Sequence, residues 1–309
     1  MTLTLQQRAD AFAAAFPQYA GAGAALTVAG GRLTGLWFMG NDYRNKSRMY
    51  GAYPPGFLPR VFALFPDARR VLHLFSGSLT AEQVDEAWTK VYPSSVRHAD
   101  AAGLPVASMQ EAQRAGGVSL GSCRFVEGVG YMATPPLQLR FDSGTHPAAR
   151  EARPDVVGDA EHLAEVLSWA KEDHEGALPR RDFDLVVADP PYAIGDQRRY
   201  AREAGLYPLC RHCGRAKADH VVELGGFLVC PFPLASRQWK RAKFKPLNKR
   251  RVLDECAKIV RPGGHVIWLD AVWPMHSKKV FRTAAAVGIV RSTGHRVRLM
   301  TVFEKQEEG

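Results

Sequence analysis

The sequence predicts an α/β protein: a mostly parallel sheet with helices on both faces and an antiparallel hairpin near its C-terminal end. Three observations lead there. Short apolar runs alternate with longer stretches of helical spacing, as in chains that build parallel sheets. Several of the apolar runs stop at Ser, Gly or Asp. Finally, two apolar runs flank Ser292-Thr293-Gly294-His295 with no room between them for a crossover helix.

The elements follow in order. The opening MTLTLQQRADAFAAAF is a mildly amphipathic helix. Residues 70–75 (RVLHLF) form a strand that ends in Ser76-Gly77-Ser78. Residues 137–141 form a second strand ending at Asp142, and 155–158 a short third ending at Asp159. Helical spacing resumes over 160–171. Residues 184–188 (DLVVA) are a fourth strand, apolar enough to be buried on both faces. A helix over 253–260 is stopped by Arg261-Pro262-Gly263-Gly264, and 265–269 is a fifth strand. A helix is expected over 278–286, then the hairpin of 288–291 with 296–303. Two stretches break the alternation: 79–135, rich in Ala, Gly and charge, and 193–250, which is basic. Both are read as insertions at the carboxyl edge of the sheet, where loops carry function, within a single domain spanning 1–309.

Composition narrows the class. A chain of 309 residues, 46% hydrophobic and 23% charged, is an ordinary globular protein with enough length for a large core. No apolar run reaches the length of a membrane span, so no membrane partner is expected. The first residues lack the charged leader and cleavage site of a signal peptide. Five cysteines, odd in number and unevenly spaced, suit a reducing compartment, and a cytoplasmic protein is expected. The net charge of +10 is concentrated: residues 197–251 hold fourteen Lys and Arg against Glu203, Asp219 and Glu223. Such a block is either a solvated face or the footprint of a polyanion.

In open α/β sheets, ligands sit beyond the carboxyl ends of the strands. The glycine after the first strand lets backbone approach a ligand closely. Asp142 can take both hydroxyls of a ribose, and Asp159 can accept from a purine amine. Together they describe an adenosine-type cofactor; taken singly, Ser-Gly-Ser is a turn, and either acid a helix cap or turn residue. The fourth strand ends more distinctively, in Asp189-Pro190-Pro191-Tyr192. Two prolines fix φ and stiffen the loop. An aryl amine is a weak nucleophile because its lone pair is delocalised. The Asp189 carboxylate and the Pro190 carbonyl accepting its two N–H bonds would localise that pair, while Tyr192 offers a ring on which the base stacks.

The series Phe-Ser-Gly-Ser, acid, acid, Asp-Pro-Pro-Tyr and Arg-Pro-Gly-Gly resembles the class I S-adenosylmethionine-dependent methyltransferases. Within them it is similar to the amino-methyltransferases acting on N6 of adenine in DNA. The resemblance covers about residues 51–303, apart from the two insertions. It implies a Rossmann-like sheet and S-adenosylmethionine as cofactor. Phe75, Ser76, Gly77 and Ser78 would surround its methionine moiety, Asp142 its ribose and Asp159 its adenine. Tyr53 and Pro54 match the upstream segment that touches the cofactor carboxylate. It also implies Asp189, Pro190, Pro191 and Tyr192 as the catalytic loop, with a base flipped out of DNA. Two alternatives stand beside it: an RNA (ribosomal) base N-methyltransferase, whose relatives carry a similar loop, and a non-catalytic nucleic-acid-binding protein on the same scaffold.

Two further clusters lie in the basic insertion. Cys210, Cys213, His220 and Cys230 supply ligands of the type tetrahedral zinc takes, with His212 as a competitor; redox or unligated thiols are the other reading. A small, glycine-containing insertion with little apolar core gains from such a staple. Arg237, Trp239, Lys240, Arg241 and Lys243 mix cations with an aromatic ring, either to grip nucleic acid or as a helix whose Trp239 packs on the domain.

Overall fold

In a computed structural model, residues 3–19, 26–39, 53–91, 123–126, 130–133, 137–143, 152–169, 181–191, 197, 209–210, 222–224, 227–229, 239–240, 246–290 and 297–307 are described. The chain begins with helix α1 (Leu5–Ala15), whose Thr4 and Gln7 form a reciprocal capping box. A hairpin follows, β1 (Thr27–Ala29) and β2 (Arg32–Phe38), paired antiparallel. Helix α2 (Phe57–Leu64) is buried almost all round, which its sequence FLPRVFAL requires. Strand β3 (Arg70–Leu74) leads to α3 (Ala81–Val91), an amphipathic helix with Val84, Ala87 and Trp88 on its buried face. The segment 79–135 therefore opens with a helix that packs into the main core. Within the same segment β4 (Cys123–Val126) pairs with β5 (Gly130–Ala133).

Strands β6 (Leu137–Asp142) and β7 (Val156–Val157) come next, then a 3-10 turn over Ala160–His162 that runs into α4 (Leu163–Trp169). Strand β8 (Phe183–Ala188) leads into the basic segment. There β9 (Leu209–Cys210) pairs with β12 (Trp239–Lys240), and β10 (Val222–Leu224) with β11 (Phe227–Val229). The rest is α5 (Lys249–Ile259), β13 (Val260–Asp270), β14 (Phe281–Val290) and β15 (Arg298–Lys305).

Nine strands form one sheet in the order β1-β2-β14-β15-β13-β8-β3-β6-β7. From β2 to β7 every strand runs parallel except β15, which is antiparallel to both β13 and β14. The expected mixture of parallel strands, helices and a late antiparallel hairpin is observed. In β8 the pleat divides the side chains cleanly: Leu185 and Val187 face a core built with α1, α2 and α3, while Val186 and Ala188 face one built with α4 and α5. Helices thus cover both faces, and each fully buried Val, Leu or Phe contributes about 1.5–3 kcal/mol. Cys256 is buried on α5, and burial pushes its thiol pKa up. Among the described residues, no helix is long and apolar enough to cross a membrane.

The expected helix over 278–286 is not formed; most of it lies in β14. Helical spacing is present, but the segment lies between β15 and β2, and backbone pairing on both sides overrides propensity. Its small residues suit that crowded position: Ala284 and Ala285 are buried, and a Cβ on Gly288 would come 2.6 Å from Leu36 Cδ1. Strand β13 also starts earlier than expected. Arg261-Pro262-Gly263-Gly264 ends the helix, as read, but sits in an irregularity of the ladder between Val260 and His265.

Candidate functional site

Counted among the seven strands from β3 onward in the main sheet, the order across it is third, second, first, fourth, fifth, seventh, sixth, with only the seventh reversed. Without the seventh, this is the doubly wound order of dinucleotide folds, whose ligand crevice opens where the strand order reverses. Here that point lies between β3 and β8, which are direct neighbours. The segments that leave their carboxyl ends are Phe75-Ser76-Gly77-Ser78 and Asp189-Pro190-Pro191.

The glycine turn is held from beneath. Phe75 has φ +60° and Gly77 φ +55°, so the turn uses left-handed backbone twice, once at a non-glycine residue. The Ser76 N–H donates to the Phe141 carbonyl at 3.0 Å, and the Gly77 N–H donates to Asp142 Oδ2 at 2.9 Å. Arg140 donates to the carbonyl of Leu79 at 3.2 Å, and to those of Ala152 and Arg153, while pairing with Asp155 at 2.8 Å. The turn is therefore tied to β6 at three points, and Asp142 and Gly77 are one assembly. The Ser143 hydroxyl donates to the other oxygen, Asp142 Oδ1, at 3.3 Å. Ser76 is 1% exposed, and its hydroxyl has no hydrogen-bond partner among the described residues. A buried orphan hydroxyl at a turn that approaches the sheet edge suits a polar ligand there.

Asp159 caps the turn at Ala160: its Oδ1 accepts from the Glu161 N–H at 2.9 Å. That is the turn role weighed for it from sequence. It lies at the end of β7, on the same edge as Asp142, and is exposed.

Asp189 leaves β8 only 8% exposed, with Pro190 buried and Pro191 half-buried; Tyr192 lies outside the described residues. An Asp at a turn commonly accepts from the N–H two residues on, as Asp159 does. Two residues after Asp189 stands Pro191, which has no N–H. The loop cannot satisfy this carboxylate from its own next two residues.

Tyr53 ties the site to the upstream chain. Its hydroxyl donates to the Val187 carbonyl at 2.9 Å and lies 3.5 Å from His73 Nδ1, while its ring stacks on Phe57. Burial, and then the charge of Asp189, push its pKa well above the usual phenol value, so it stays a neutral donor. Pro54 is buried, and its carbonyl accepts from the Phe57 N–H at the start of α2. His73 is fully buried between these groups and Gln138, whose Oε1 is 2.7 Å from its Nε2. Burial lowers its pKa to about 4.

Sequence reasoning did not pick out the support on the other side of Asp189. Asp270 ends β13 fully buried, paired with Lys249 at 2.5 Å, and accepts from the Trp268 indole at 3.3 Å and the Ala271 N–H at 2.7 Å. Gln197, 8% exposed, accepts from the Leu247 N–H at 2.8 Å and so pins the chain beyond the proline loop to the approach of α5. One signal was available: Asp270 is a further acid at the end of an apolar strand, like Asp142 and Asp189.

Of the zinc candidates, Cys213, His220 and Cys230 lie outside the described residues. Cys210 is described by its backbone, which in β9 is opposite Trp239 of β12. Arg237, Arg241 and Lys243 also lie outside. Trp239 and Lys240 form a strand, not the helix weighed from sequence. Among the described residues, no group of three His, Cys, Asp or Glu side chains is placed to hold a metal. No family model, curated protein or solved structure matches the chain.

Proposed function

We propose that this chain is an S-adenosylmethionine-dependent methyltransferase acting on the exocyclic N6 amine of adenine in DNA. The observation that carries this reading is the meeting, at one switch point, of the glycine turn, the Asp142 carboxylate that grips it, and the proline-stiffened Asp189. The doubly wound strand order supports the Rossmann-like class.

In this reading Ser76, Gly77 and Ser78 hold the amino-acid end of the cofactor, Asp142 its ribose and Asp159 its base, with Tyr53 and Pro54 closing the near side. When bound, S-adenosylmethionine supplies an electrophilic methyl group on a sulfonium. Asp189 and the Pro190 carbonyl accept the two N–H bonds of the amine and draw its nitrogen toward a tetrahedral shape. Holding the amine in line lowers the barrier by up to about 7–11 kcal/mol in an ideal geometry. The acceptors also gain strength as positive charge grows on the nitrogen. Tyr192 stacks on the base. Tyr53, kept neutral, fixes the strand end that carries Asp189. In the basic segment Cys210, Cys213, His220 and Cys230 supply three thiolates and an imidazole, a donor set suited to structural zinc, and Arg237, Trp239, Lys240, Arg241 and Lys243 face nucleic acid.

The test is incubation with isotopically labelled cofactor and either adenine-containing DNA or ribosomal RNA, then digestion to nucleosides and mass spectrometry. N6-methyldeoxyadenosine is the expected product. A methylated ribonucleoside alone would move the substrate to RNA, and no labelled nucleoside from either would overturn the reading. Metal analysis of protein purified without chelator is expected to find one zinc per chain.

A further inference from the structure

Two aromatic rings meet across a strand that belongs to neither. Phe75 follows β3 and Trp268 lies in β13, with β8 between them, so their backbones are about 10 Å apart. Their ring centroids are nonetheless 6.5 Å apart, at an interplanar angle of 87°. The ladders show what lets them meet: Trp268 and Leu74 are both opposite Ala188, the last residue of β8. Ala188 faces the same core as Trp268 and Phe75, and its methyl is too small to keep the rings apart. The next residue is Asp189. The edge-to-face pair therefore lies at the exit of the strand that carries it.

Each ring is held in an unusual setting. Phe75 opens the glycine turn with φ +60°, left-handed backbone that is costly for a residue with a Cβ. Left to itself such a residue relaxes, and the turn moves with it; a ring packed against Phe75 opposes this. Trp268 is fully buried, so it acts through Phe75 rather than on a ligand, and its indole N–H donates to Asp270 Oδ2 at 3.3 Å. Asp270 also accepts from the Ala271 N–H at 2.7 Å and from Lys249 Nζ at 2.5 Å. A fully buried carboxylate is costly unless its partners satisfy it, and one of its partners here is the indole it orients. We propose that Trp268 is a positioning residue: oriented by Asp270, it holds Phe75 in its strained backbone and keeps the glycine turn and Asp189 at one spacing. This rests on the proposed function and adds that the cofactor turn is set in advance by groups that touch neither cofactor nor amine. A turn that relaxes in part of the population lowers apparent affinity by the fraction lost. An edge-to-face pair is strong enough to shift such a population about tenfold.

The experiment titrates the full chain with S-adenosylmethionine by calorimetry and records melting temperature. It also measures kcat at saturating cofactor on whichever of adenine-containing DNA and ribosomal RNA the parent methylates. Variants are Trp268→Leu, Trp268→Phe, Asp270→Asn, and Trp268→Phe combined with Asp270→Asn. Trp268→Leu is expected to raise the cofactor Kd about tenfold. It should lower kcat by about the same factor, because the reacting groups lose their spacing. Trp268→Phe keeps an aromatic edge and brings Kd back to within about threefold of the parent. One amide oxygen cannot serve both the indole and Ala271, so Asp270→Asn raises Kd about fivefold. It has no further effect once Trp268 is replaced by Phe, since no indole N–H is left to orient. Lower melting temperatures with parental Kd and kcat in Trp268→Leu and Asp270→Asn would make the ring pair core packing. That result, or an equal Asp270→Asn effect in both backgrounds, overturns the inference and leaves the methyltransferase reading standing. Should Trp268→Leu fail to fold, the paired Asp270→Asn measurements decide. A parent chain that binds no S-adenosylmethionine overturns the methyltransferase reading and this inference with it.

Discussion

Two aspartates mark the two ends of one strand, five residues apart, and their settings differ. Asp184, near the start of β8, fastens the sheet: its Oδ2 accepts from the N–H groups of Arg69 and Arg70 at 2.8 Å each, and its Oδ1 meets Arg261 at 2.5 Å. Asp189, at the far end, is followed by two residues that have no N–H to give. An acid surrounded by donors from its own chain holds the fold. Asp189 stands at the switch point of the sheet, where the proposed function has it meet the amine of a substrate. Residue type does not distinguish them; position on the strand and the next two residues do.

The sharpest way to break this contrast is at Asp189. Asp189→Ala is expected to lower kcat by about 10³-fold or more, with S-adenosylmethionine affinity within a few-fold of the parent. Melting temperature is measured alongside. Retained turnover would end the catalytic assignment, and a large loss of stability would make Asp189 a second fastener.

Histidine 73 sharpens the contrast from between the two ends, since it pairs across the ladder with Val187. Its pKa is lowered to about 4 by burial, against an ordinary value of 6.5. Between those values the unfolded chain binds a proton that the native protein refuses, so stability falls as pH drops from 6.5 toward 4. The full loss from this residue is about 3 kcal/mol. Burial lowers the pKa of His265 as well, which acts in the same direction, so the measurement is a difference. Urea unfolding at pH 7.5 and 4.5 should show a drop that His73→Asn reduces by about that amount. An identical drop in both proteins would mean His73 is accessible to protons in the native state.

Asp184→Ala tests the fastener. It leaves two backbone N–H groups and a guanidinium without their acceptor, at a cost of about 2–3 kcal/mol. Melting temperature should fall by several degrees while kcat of the folded fraction is unchanged. A loss of kcat at full stability would erase the difference between the two ends.

The residues that follow strands were legible because strand exits obey local rules. Asp142, Asp159 and Asp189 each stand after an apolar run, and each lies at a carboxyl end of the sheet. The hairpin of β14 with β15 was legible from its apolar runs around a polar turn. What the sequence concealed depends on distant partners. The Ala-rich start of β14 reads as helix until β2 and β15 lie on either side of it. The pairing of β2 with β14 joins residues some 250 positions apart, and no local pattern announces it. The same holds for Arg140, whose guanidinium reaches Leu79, Ala152, Arg153 and Asp155 and thereby sets the glycine turn. Lys249 and Asp270, twenty-one residues apart, look like ordinary surface charges until α5 and β13 bring them together.

Tyr53 supplies the finest division between the two roles. Its hydroxyl donates to the Val187 carbonyl, two residues before Asp189, and the charge of Asp189 in turn raises its pKa. It touches the fold through one group and feels the site through another. Tyr53→Phe removes the hydrogen bond to Val187 and the longer contact with His73 but keeps the ring on Phe57, so the stability cost should be about 1 kcal/mol. If Tyr53 positions Asp189, kcat should fall only a few-fold, because the strand end gains slack while both acceptors for the amine remain. A loss as deep as that of Asp189→Ala would place the phenol in the chemistry itself. An unchanged kcat with the expected stability cost would return Tyr53 to the fasteners, beside Asp184, and leave the prolines as what holds Asp189 in place.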